Sequence, residues 1–389
     1  MGIHVVGLGP VGLLISHSLR RVLPVSTPVT VIHRTLEGLE KFTMRKNKIE
    51  VQRDGVVSQA NGLKSELLNP SPNPARQPGQ ITSLIVALKA HHTLPVIRTL
   101  APRLSANSTV VLLQNGLGVF EEVVEEVFRN ERSRPNFILT SNTNGAFKTH
   151  PFHAVHAGIG AIDFGIVPDA QGRDFDVGFS TEDSEGPGPK LSDITTDSDP
   201  QFERYKSLRE TVAALLLVSA LNPSWRSFSD LQTLLKRKLV VNSFVNPLTA
   251  ILGCRNGALL DMTYAGNILQ QLCQEAEAVY AKQIEVETAS WIQDMAAQGI
   301  DTSNISIPPL PRALSAESLQ EEALRVTEVT KANISSMLQD VQRGAYTEID
   351  YINGYLMRLG QKYDVPAKVN TTLLDLVKMR TMVPLDRIL

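Results

Sequence analysis

Cysteine is scarce in this 389-residue chain, which contains only Cys254 and Cys273. The two lie far apart and form no Cys-x-x-Cys pair, so neither a disulfide framework nor a cysteine-based zinc site is expected. Three of the eight histidines cluster at His150, His153 and His156, but their spacing does not match a zinc-binding His-Glu-x-x-His motif. We therefore expect no metal site.

An excess of one charge is also missing. Lysine and arginine total 38 against 40 aspartates and glutamates, a formal net charge of -2, so no global positive field favours nucleic acid or anionic lipid. The longest apolar run, near residues 213–221, is interrupted by Ser219 and is shorter than the ~18 residues that span a membrane. These two features predict neither a nucleic-acid partner nor a membrane anchor.

Composition and length are those of a globular protein of two domains, with 42% hydrophobic and 20% charged residues. We predict a first domain over residues 1–224 and a second over residues 225–389. Residues 169–200, rich in Asp, Ser, Gly, Thr and Pro, are predicted to form a mobile insertion because they bury little apolar surface. A strand pattern already begins at Ile3 and leaves no room for a targeting peptide, so the expected compartment is the cytoplasm.

Short β-branched runs alternate with helical stretches in the first domain, which predicts an α/β Rossmann fold with a doubly wound parallel sheet. The predicted strands are Ile3–Val6, Pro28–His33, Ser83–Leu88, Thr109–Gln114 and Phe137–Asn142.

The second domain is predicted to be all-α. A capping box of Ser229 and Gln232 is expected to open a helix that Pro247 ends after Asn246. Thr347 and Asp350 are expected to start the helix over Glu348–Tyr363.

A glycine motif follows the first predicted strand directly and is the strongest functional signal. Gly7 permits a tight turn, Gly9 lets a pyrophosphate approach the backbone, and Gly12 allows close helix–sheet packing. Pro10 suits a first helical turn, where the helix N-terminus favours phosphate. The motif predicts a dinucleotide-binding turn made of Gly7, Leu8, Gly9, Pro10, Val11 and Gly12.

Arg34 stands near the end of the second strand, where an NAD-binding protein would carry an acidic residue. A guanidinium can pair with the 2′-phosphate of NADP, which a carboxylate would repel. We therefore expect NADP(H), although an arginine here could also be simply solvated. Lys89 and Asn115 follow two further strands and either line the cofactor cleft or serve as turn residues.

Lys238, Asn242 and Asn246 are spaced four residues apart and share one face of an apolar helix. A buried polar stripe needs partners, and one cation with two amides suits a small anion carrying a carbonyl group. The stripe could instead pack against other polar groups of the protein. Glu348 could orient Lys238 and set its pKa, and Ser335 and Ser336 could bind a carboxylate or cap a helix.

Six blocks, taken in order along the chain, resemble those of ketopantoate reductases (2-dehydropantoate 2-reductases). They are the glycine motif, Leu88-Lys89-Ala90, Gln114-Asn115-Gly116, the segment from Lys238 to Ile251, and the serine and glutamate segments at 335–340 and 347–354. The resemblance implies a Rossmann domain followed by an all-helical domain of the 6-phosphogluconate dehydrogenase type. It also implies NADPH-dependent reduction of 2-dehydropantoate to pantoate on the route to coenzyme A.

The resemblance further implies residue roles. Lys238 matches the proton donor, and Glu348 matches a cofactor contact. Further cofactor contacts are implied at Lys89, Asn115 and Ala146, the last in a loop after the Phe137–Asn142 strand. The implied substrate-binding residues are Asn115, Lys238, Asn242, Asn246, Asn256, Asn333, Ser335 and Ser336.

Two other functions fit the same residues. One is an NADP-dependent reductase of another small 2-keto acid, and the other is a non-catalytic regulatory protein on the same scaffold. The presence of Lys238, Asn242, Asn246, Ser336 and Glu348 together argues against the second. The expected partner is a small 2-keto acid, and the expected assembly is a monomer or a homodimer.

Overall fold

A computed structural model describes residues 2–69, 79–169, 171–179 and 188–383. The chain divides into two compact units. The first comprises residues 1–115 and 119–232, and the second comprises residues 116–118 and 233–389.

The first unit is built on an eight-stranded sheet, which confirms the predicted α/β parallel fold. Its strands are β1 (Ile3–Val6), β2 (Val29–His33), β5 (Lys64–Leu67), β6 (Ser83–Val86), β7 (Thr109–Leu112), β8 (Asn136–Asn142), β11 (Ile162–Ile166) and β12 (Pro223–Trp225). The sheet order is β12-β11-β8-β7-β6-β1-β2-β5, and the six strands from β8 to β5 run parallel. All five predicted strands are present within it.

A second sheet of four strands was not predicted from the sequence. Its strands are β3 (Ile49–Arg53), β4 (Val56–Ala60), β9 (Gly145–His150) and β10 (His153–Gly158), in the order β4-β3-β10-β9. The helices of the first unit are α1 (Pro10–Val22), α2 (Leu36–Met44), α3 (Ala90–Leu100), α4 (Val119–Glu126), α5 (Leu191–Ile194) and α6 (Phe202–Leu216).

Helix α1 packs against strands of both sheets. Nine consecutive residues, 12–20, are buried, because the second sheet covers the helix face that would otherwise meet solvent. On that face His17 Nε2 lies 3.0 Å from Ser58 Oγ of β4, and burial lowers the pKa of His17 to about 4. The glycine motif is therefore attached to a helix that is held from two sides.

The predicted insertion at 169–200 is anchored to the first unit where the structure describes it. Phe175 and Ile194 are buried in the core, and the carboxylate of Asp176 accepts a hydrogen bond from the Phe228 amide at 2.8 Å. These contacts contradict the expectation that the segment as a whole buries little. Residues 170 and 180–187, where mobility was also predicted, lie outside the described residues.

The second unit is helical, as predicted. Its helices are α7 (Phe228–Leu252, whose first turn belongs to the first unit), α8 (Thr263–Ala297), α9 (Ala316–Val329), α10 (Ser336–Gln342), α11 (Asn353–Lys362) and α12 (Lys368–Met382). Their inward faces form one core, which includes Phe244, Tyr280 and Leu356. Within the described ranges, no helix combines the length and the apolar character needed to cross a bilayer.

Helix α7 differs from its prediction at both ends. It starts at Phe228, and its N-cap residue is Ser227 rather than the predicted Ser229. The Ser227 hydroxyl accepts a hydrogen bond from the Asp230 amide at 3.1 Å. It also continues through Pro247 instead of ending there. Proline leaves the carbonyl of residue 243 without its usual helical donor, and the Asn353 side chain supplies a replacement at 3.0 Å.

The helix expected from Glu348 to Tyr363 is divided. A 3₁₀ turn covers Ile349–Tyr351, and α11 begins at Asn353. Glu348 caps the turn without a side-chain hydrogen bond to it, so the predicted Thr347–Asp350 start signal is wrong.

Candidate functional site

The glycine turn has the backbone geometry that its sequence predicts. Gly7 has a φ of +98°, and a Cβ there would lie 2.4 Å from the carbonyl oxygen of Ala87. A Cβ on Gly12 would lie 1.7 Å from the carbonyl oxygen of Gly7, so only glycine lets α1 approach the turn this closely. A Cβ on Gly9 would meet no atom within 4 Å, so its backbone faces open space.

Helix α1 starts immediately after this open position, with Pro10 as its first residue and Val11 as its second. Its first turn carries no acidic side chain. Leu8, on the turn itself, packs partly against the hydrophobic core. No side chain of the described residues caps this helix N-terminus. A helix start of this kind beside an open glycine backbone is suited to bind a phosphate group.

A cavity of about 770 Å³ adjoins the glycine turn within the first unit. It lies at the carboxyl ends of β1, β2 and β6 and is bounded on other sides by α2, α3 and the turn between β9 and β10. Its lining includes Gly7, Leu8, Ile32, His33, Arg34, Gly38, Lys41, Leu88, His92, Val96, Thr99, Lys148 and Phe152.

Three cations line this cavity, namely Arg34, Lys41 and Lys148, and its described lining contains no carboxylate. Lys41 is already paired, since its Nζ lies 2.5 Å from Glu37 Oε1 on the same helix. Arg34, the residue expected to select NADP, is one of these lining residues. Lys41 and Lys148 were missed, because neither stands in a recognisable motif.

His33 is a further lining residue that sequence reasoning did not assign to the site. It is buried, and its Nε2 has no hydrogen-bond partner among the described residues. Burial lowers the pKa of His33 to about 4, so the ring is neutral at pH 7 and adds no charge.

The other cofactor residues expected in the first unit lie outside this lining. Lys89 is the N-cap residue of α3, and Asn115 follows β7; both are half-buried. Ala146 was expected in a loop but lies in β9, opposite His156 of β10. The expectation failed because a two-residue turn leads directly into the second sheet.

In the second unit, α7 carries Lys238, Asn242 and Asn246 along one face, with a rise of about 6 Å per step. Lys238 and Asn242 are half-buried, and Asn246 is buried. The flanking residues Leu239, Val240 and Val241 are part of the core, which fixes the orientation of this face.

Ser335 and Asn256 connect the predicted substrate residues to the fold. Ser335 caps α10 by accepting from the Leu338 amide at 3.1 Å, and it also accepts from Thr249 of α7 at 2.7 Å. Asn256 donates from its backbone to the Asn333 carbonyl at 3.1 Å, while its own side-chain oxygen is buried without a partner among the described residues. The structure thus brings the 333–335 segment against α7 and Asn256.

Ser336 and Asn333 are exposed, and Glu348 is buried immediately before its 3₁₀ turn. Ser336 is the first residue of α10, so its position is determined by the Ser335 cap.

A Rossmann-type sheet with a glycine turn, followed by a helical unit with a lysine and two asparagines on one helix, defines a dinucleotide-dependent class of fold. Comparison with known proteins assigns it to a family. The family model described as ketopantoate reductase PanE/ApbA matches residues 3–169, and the model of its C-terminal part matches residues 230–381. The chain therefore belongs to the ketopantoate reductase family.

Individual relatives agree with this assignment. The chain is 26% identical to a probable 2-dehydropantoate 2-reductase of Schizosaccharomyces pombe over 97% of its own length and 96% of that relative. It is 27% identical to the 2-dehydropantoate 2-reductase of Shigella flexneri, over 76% of this chain and 73% of that relative.

Solved structures show the same fold. A PanE/ApbA family ketopantoate reductase from Ralstonia eutropha superposes with a TM-score of 0.66 at 18% identity, over 98% of this chain and 99% of that chain. D-mandelate dehydrogenase with NADH and anilino(oxo)acetate superposes with a TM-score of 0.69 at 18% identity over the same shares.

Proposed function

We propose that the protein reduces 2-dehydropantoate to (R)-pantoate with NADPH, a step in the synthesis of pantothenate and coenzyme A. The observation that carries this proposal is the match of both parts of the chain, in order, to the two models of the ketopantoate reductase family. The relatives named above carry the same activity in their names.

The residues of the first unit fit NADPH. The open backbone at Gly9 and the uncharged first turn of α1 suit the pyrophosphate. Arg34 lines the adjoining cavity with no carboxylate partner among the described residues, so its charge is available for a 2′-phosphate. When bound, NADPH supplies the hydride that reduces the keto carbon. Lys89, Asn115, Ala146 and Glu348 are proposed as additional contacts.

Lys238 is proposed to protonate the oxygen of the keto group and to stabilise the negative charge that develops there. Asn242, Asn246 and Ser336 would bind the hydroxyl and carboxylate groups of the substrate, with Asn256, Asn333 and Ser335 supporting them. Asn115 would also contact the substrate, and the buried Glu348 would orient Lys238.

A second candidate function is the reduction of a different 2-keto acid. The likeness to D-mandelate dehydrogenase, which was solved with anilino(oxo)acetate, favours testing it. A larger or aromatic keto acid would need the same lysine and asparagines, because the reacting groups are identical.

The experiment is a substrate panel followed at the nicotinamide absorbance. The purified full chain is assayed with 2-dehydropantoate, pyruvate, 2-oxoisovalerate and phenylglyoxylate, each with NADPH and with NADH. We expect the highest kcat/KM with 2-dehydropantoate and NADPH. A higher value with phenylglyoxylate would assign the second function, equal rates with NADH would refute the role of Arg34, and no turnover of any keto acid would favour a regulatory protein.

A further inference from the structure

We propose that Lys148 of β9 is a second cation, besides Arg34, that binds the 2′-phosphate of NADP(H), and that the buried ring of Phe152 holds its hairpin in place. This inference rests on the proposed use of NADP(H). It concerns a residue that belongs to no motif of the sequence and lies in the second sheet, far along the chain from the glycine turn.

The hairpin of β9 and β10 is fixed against the cavity by its turn. Phe152 in that turn is buried and adopts a φ of +62°, a left-handed conformation that is strained for a non-glycine residue. Its ring lies 4.8 Å from the ring of Phe42 in α2 and 6.0 Å from that of His33 at the end of β2. Burial among these rings compensates the backbone strain and fixes the turn to the two elements that flank Arg34.

Hydrogen bonds to the carbonyls of the turn reinforce this position. The Phe152 carbonyl accepts from the Glu50 amide at 3.0 Å, and the Pro151 carbonyl accepts from Arg45 at 3.2 Å. Lys148 pairs in register with Ala154, which is fully buried. The hairpin therefore presents Lys148 from a rigid segment rather than from a free loop.

The charge of Lys148 is available for a ligand. The residue lines the cavity, and no carboxylate pairs with it among the described residues. Lys41 differs, because Glu37 neutralises it at 2.5 Å. Arg34 resembles Lys148 in having no described carboxylate partner, so the cavity contains two uncompensated cations.

Two such cations match the charge of a phosphate monoester, which is about -1.5 to -2 at pH 7. The pyrophosphate has its own site at the glycine turn and the start of α1, leaving the 2′-phosphate as the remaining anionic group of NADP(H). Arg34 follows β2, where the ribose hydroxyls bind in this class of fold. The 2′-phosphate is therefore the group that explains both cations.

The test is calorimetric titration of the full chain with NADP⁺ and with NAD⁺, which requires no turnover. Lys148→Met should weaken NADP⁺ binding about tenfold, equivalent to about 1.4 kcal/mol, and change NAD⁺ binding less than about twofold. Lys148→Arg retains the charge and should keep most of the NADP⁺ affinity. Lys64→Met, which removes an exposed lysine of β5 outside the cavity, is the matched control and should bind both nucleotides as the wild type does.

The outcomes separate this inference from the proposed function. Equal losses for both nucleotides in Lys148→Met, or no loss for either, would overturn the role of Lys148 while leaving NADP(H) as the cofactor. A wild-type chain that binds NAD⁺ as tightly as NADP⁺, or that binds neither, would overturn the proposed cofactor and the role of Lys148 with it.

Discussion

Asn353 replaces the hydrogen bond that Pro247 removes from the helix carrying Lys238. Its side-chain amide is fully buried and donates to the Ser243 carbonyl at 3.0 Å and to Asn370 Oδ1 at 3.1 Å. Asn353→Leu keeps a similar volume but removes both donors. We predict that this substitution destabilises the second unit and that the size of the effect depends on residue 247.

The magnitude follows from the two acceptors. Each buried acceptor left without a donor costs about 1–3 kcal/mol, so Asn353→Leu should lower the free energy of unfolding by about 2–6 kcal/mol. In a Pro247→Ala background, residue 247 regains an amide that can bond to Ser243. Only Asn370 then loses its donor, and the same substitution should cost about 1–3 kcal/mol. The expected coupling between the two positions is therefore about 1–3 kcal/mol.

Urea unfolding of the four chains of this double-mutant cycle measures the coupling. Trp225→Phe as a common background leaves Trp291 of α8 as the only tryptophan, so its fluorescence reports on the second unit. If Asn353→Leu costs the same in both backgrounds to within about 0.5 kcal/mol, Asn353 does not compensate Pro247 and the reasoning is refuted.

Three further predictions address the site and the first unit. Lys238→Ala should lower kcat about 10²- to 10⁴-fold while NADPH affinity is retained. Lys282→Ala, which removes a lysine from an exposed ion pair with Glu285, is the control and should leave kcat unchanged. Near-normal turnover of Lys238→Ala would exclude Lys238 as the proton donor. Gly12→Ala should unfold or severely destabilise the first unit, because its Cβ would lie 1.7 Å from the carbonyl oxygen of Gly7, whereas Gly9→Ala should fold normally and lose dinucleotide affinity. Thermal unfolding measures the first effect and titration with NADP⁺ the second. Unchanged affinity in Gly9→Ala would place the pyrophosphate elsewhere. Because burial lowers the pKa of His17 from 6.5 to about 4, the unfolded chain binds a proton that the folded chain excludes. The free energy of unfolding should therefore be greatest above pH 6.5 and should fall as the pH drops towards 4, by up to about 1.4 kcal/mol per pH unit. Thermal unfolding across this range should show a shallower pH dependence for His17→Gln, and an identical slope would contradict the assignment.

The parallel sheet could be predicted because its strands have a strong local signal. All five residues of β2, for example, are buried, and such a strand requires a continuous β-branched run. The second sheet has no comparable signal. Five of the six residues of β9 are exposed, and β4 is buried only at Ala60, so short polar strands there resemble loops.

The same difference in local sequence signal explains which parts of the candidate site could be predicted. The glycine turn is specified within six residues, and the contacts of Gly7 and Gly12 follow from that spacing. Lys148 reaches the cavity through a hairpin whose place depends on Phe152 packing against Phe42 and His33. No local pattern in the sequence encodes the contact between this hairpin and the cavity, so the sequence alone does not predict that Lys148 lines it.

Pro247 shows why a sound local rule can give a wrong boundary. Proline removes one hydrogen-bond donor and clashes with the preceding turn of the helix. Most helices end there, because the carbonyl that loses its donor has no other partner. Here a side chain more than a hundred positions away supplies the donor, and Asn370, which donates in turn to Glu275 at 2.9 Å, positions that side chain. The proline inside this buried helix is therefore accommodated by a polar side chain that reaches the carbonyl four positions earlier. This long-range contact connects the helix that carries Lys238 to α11 and α12.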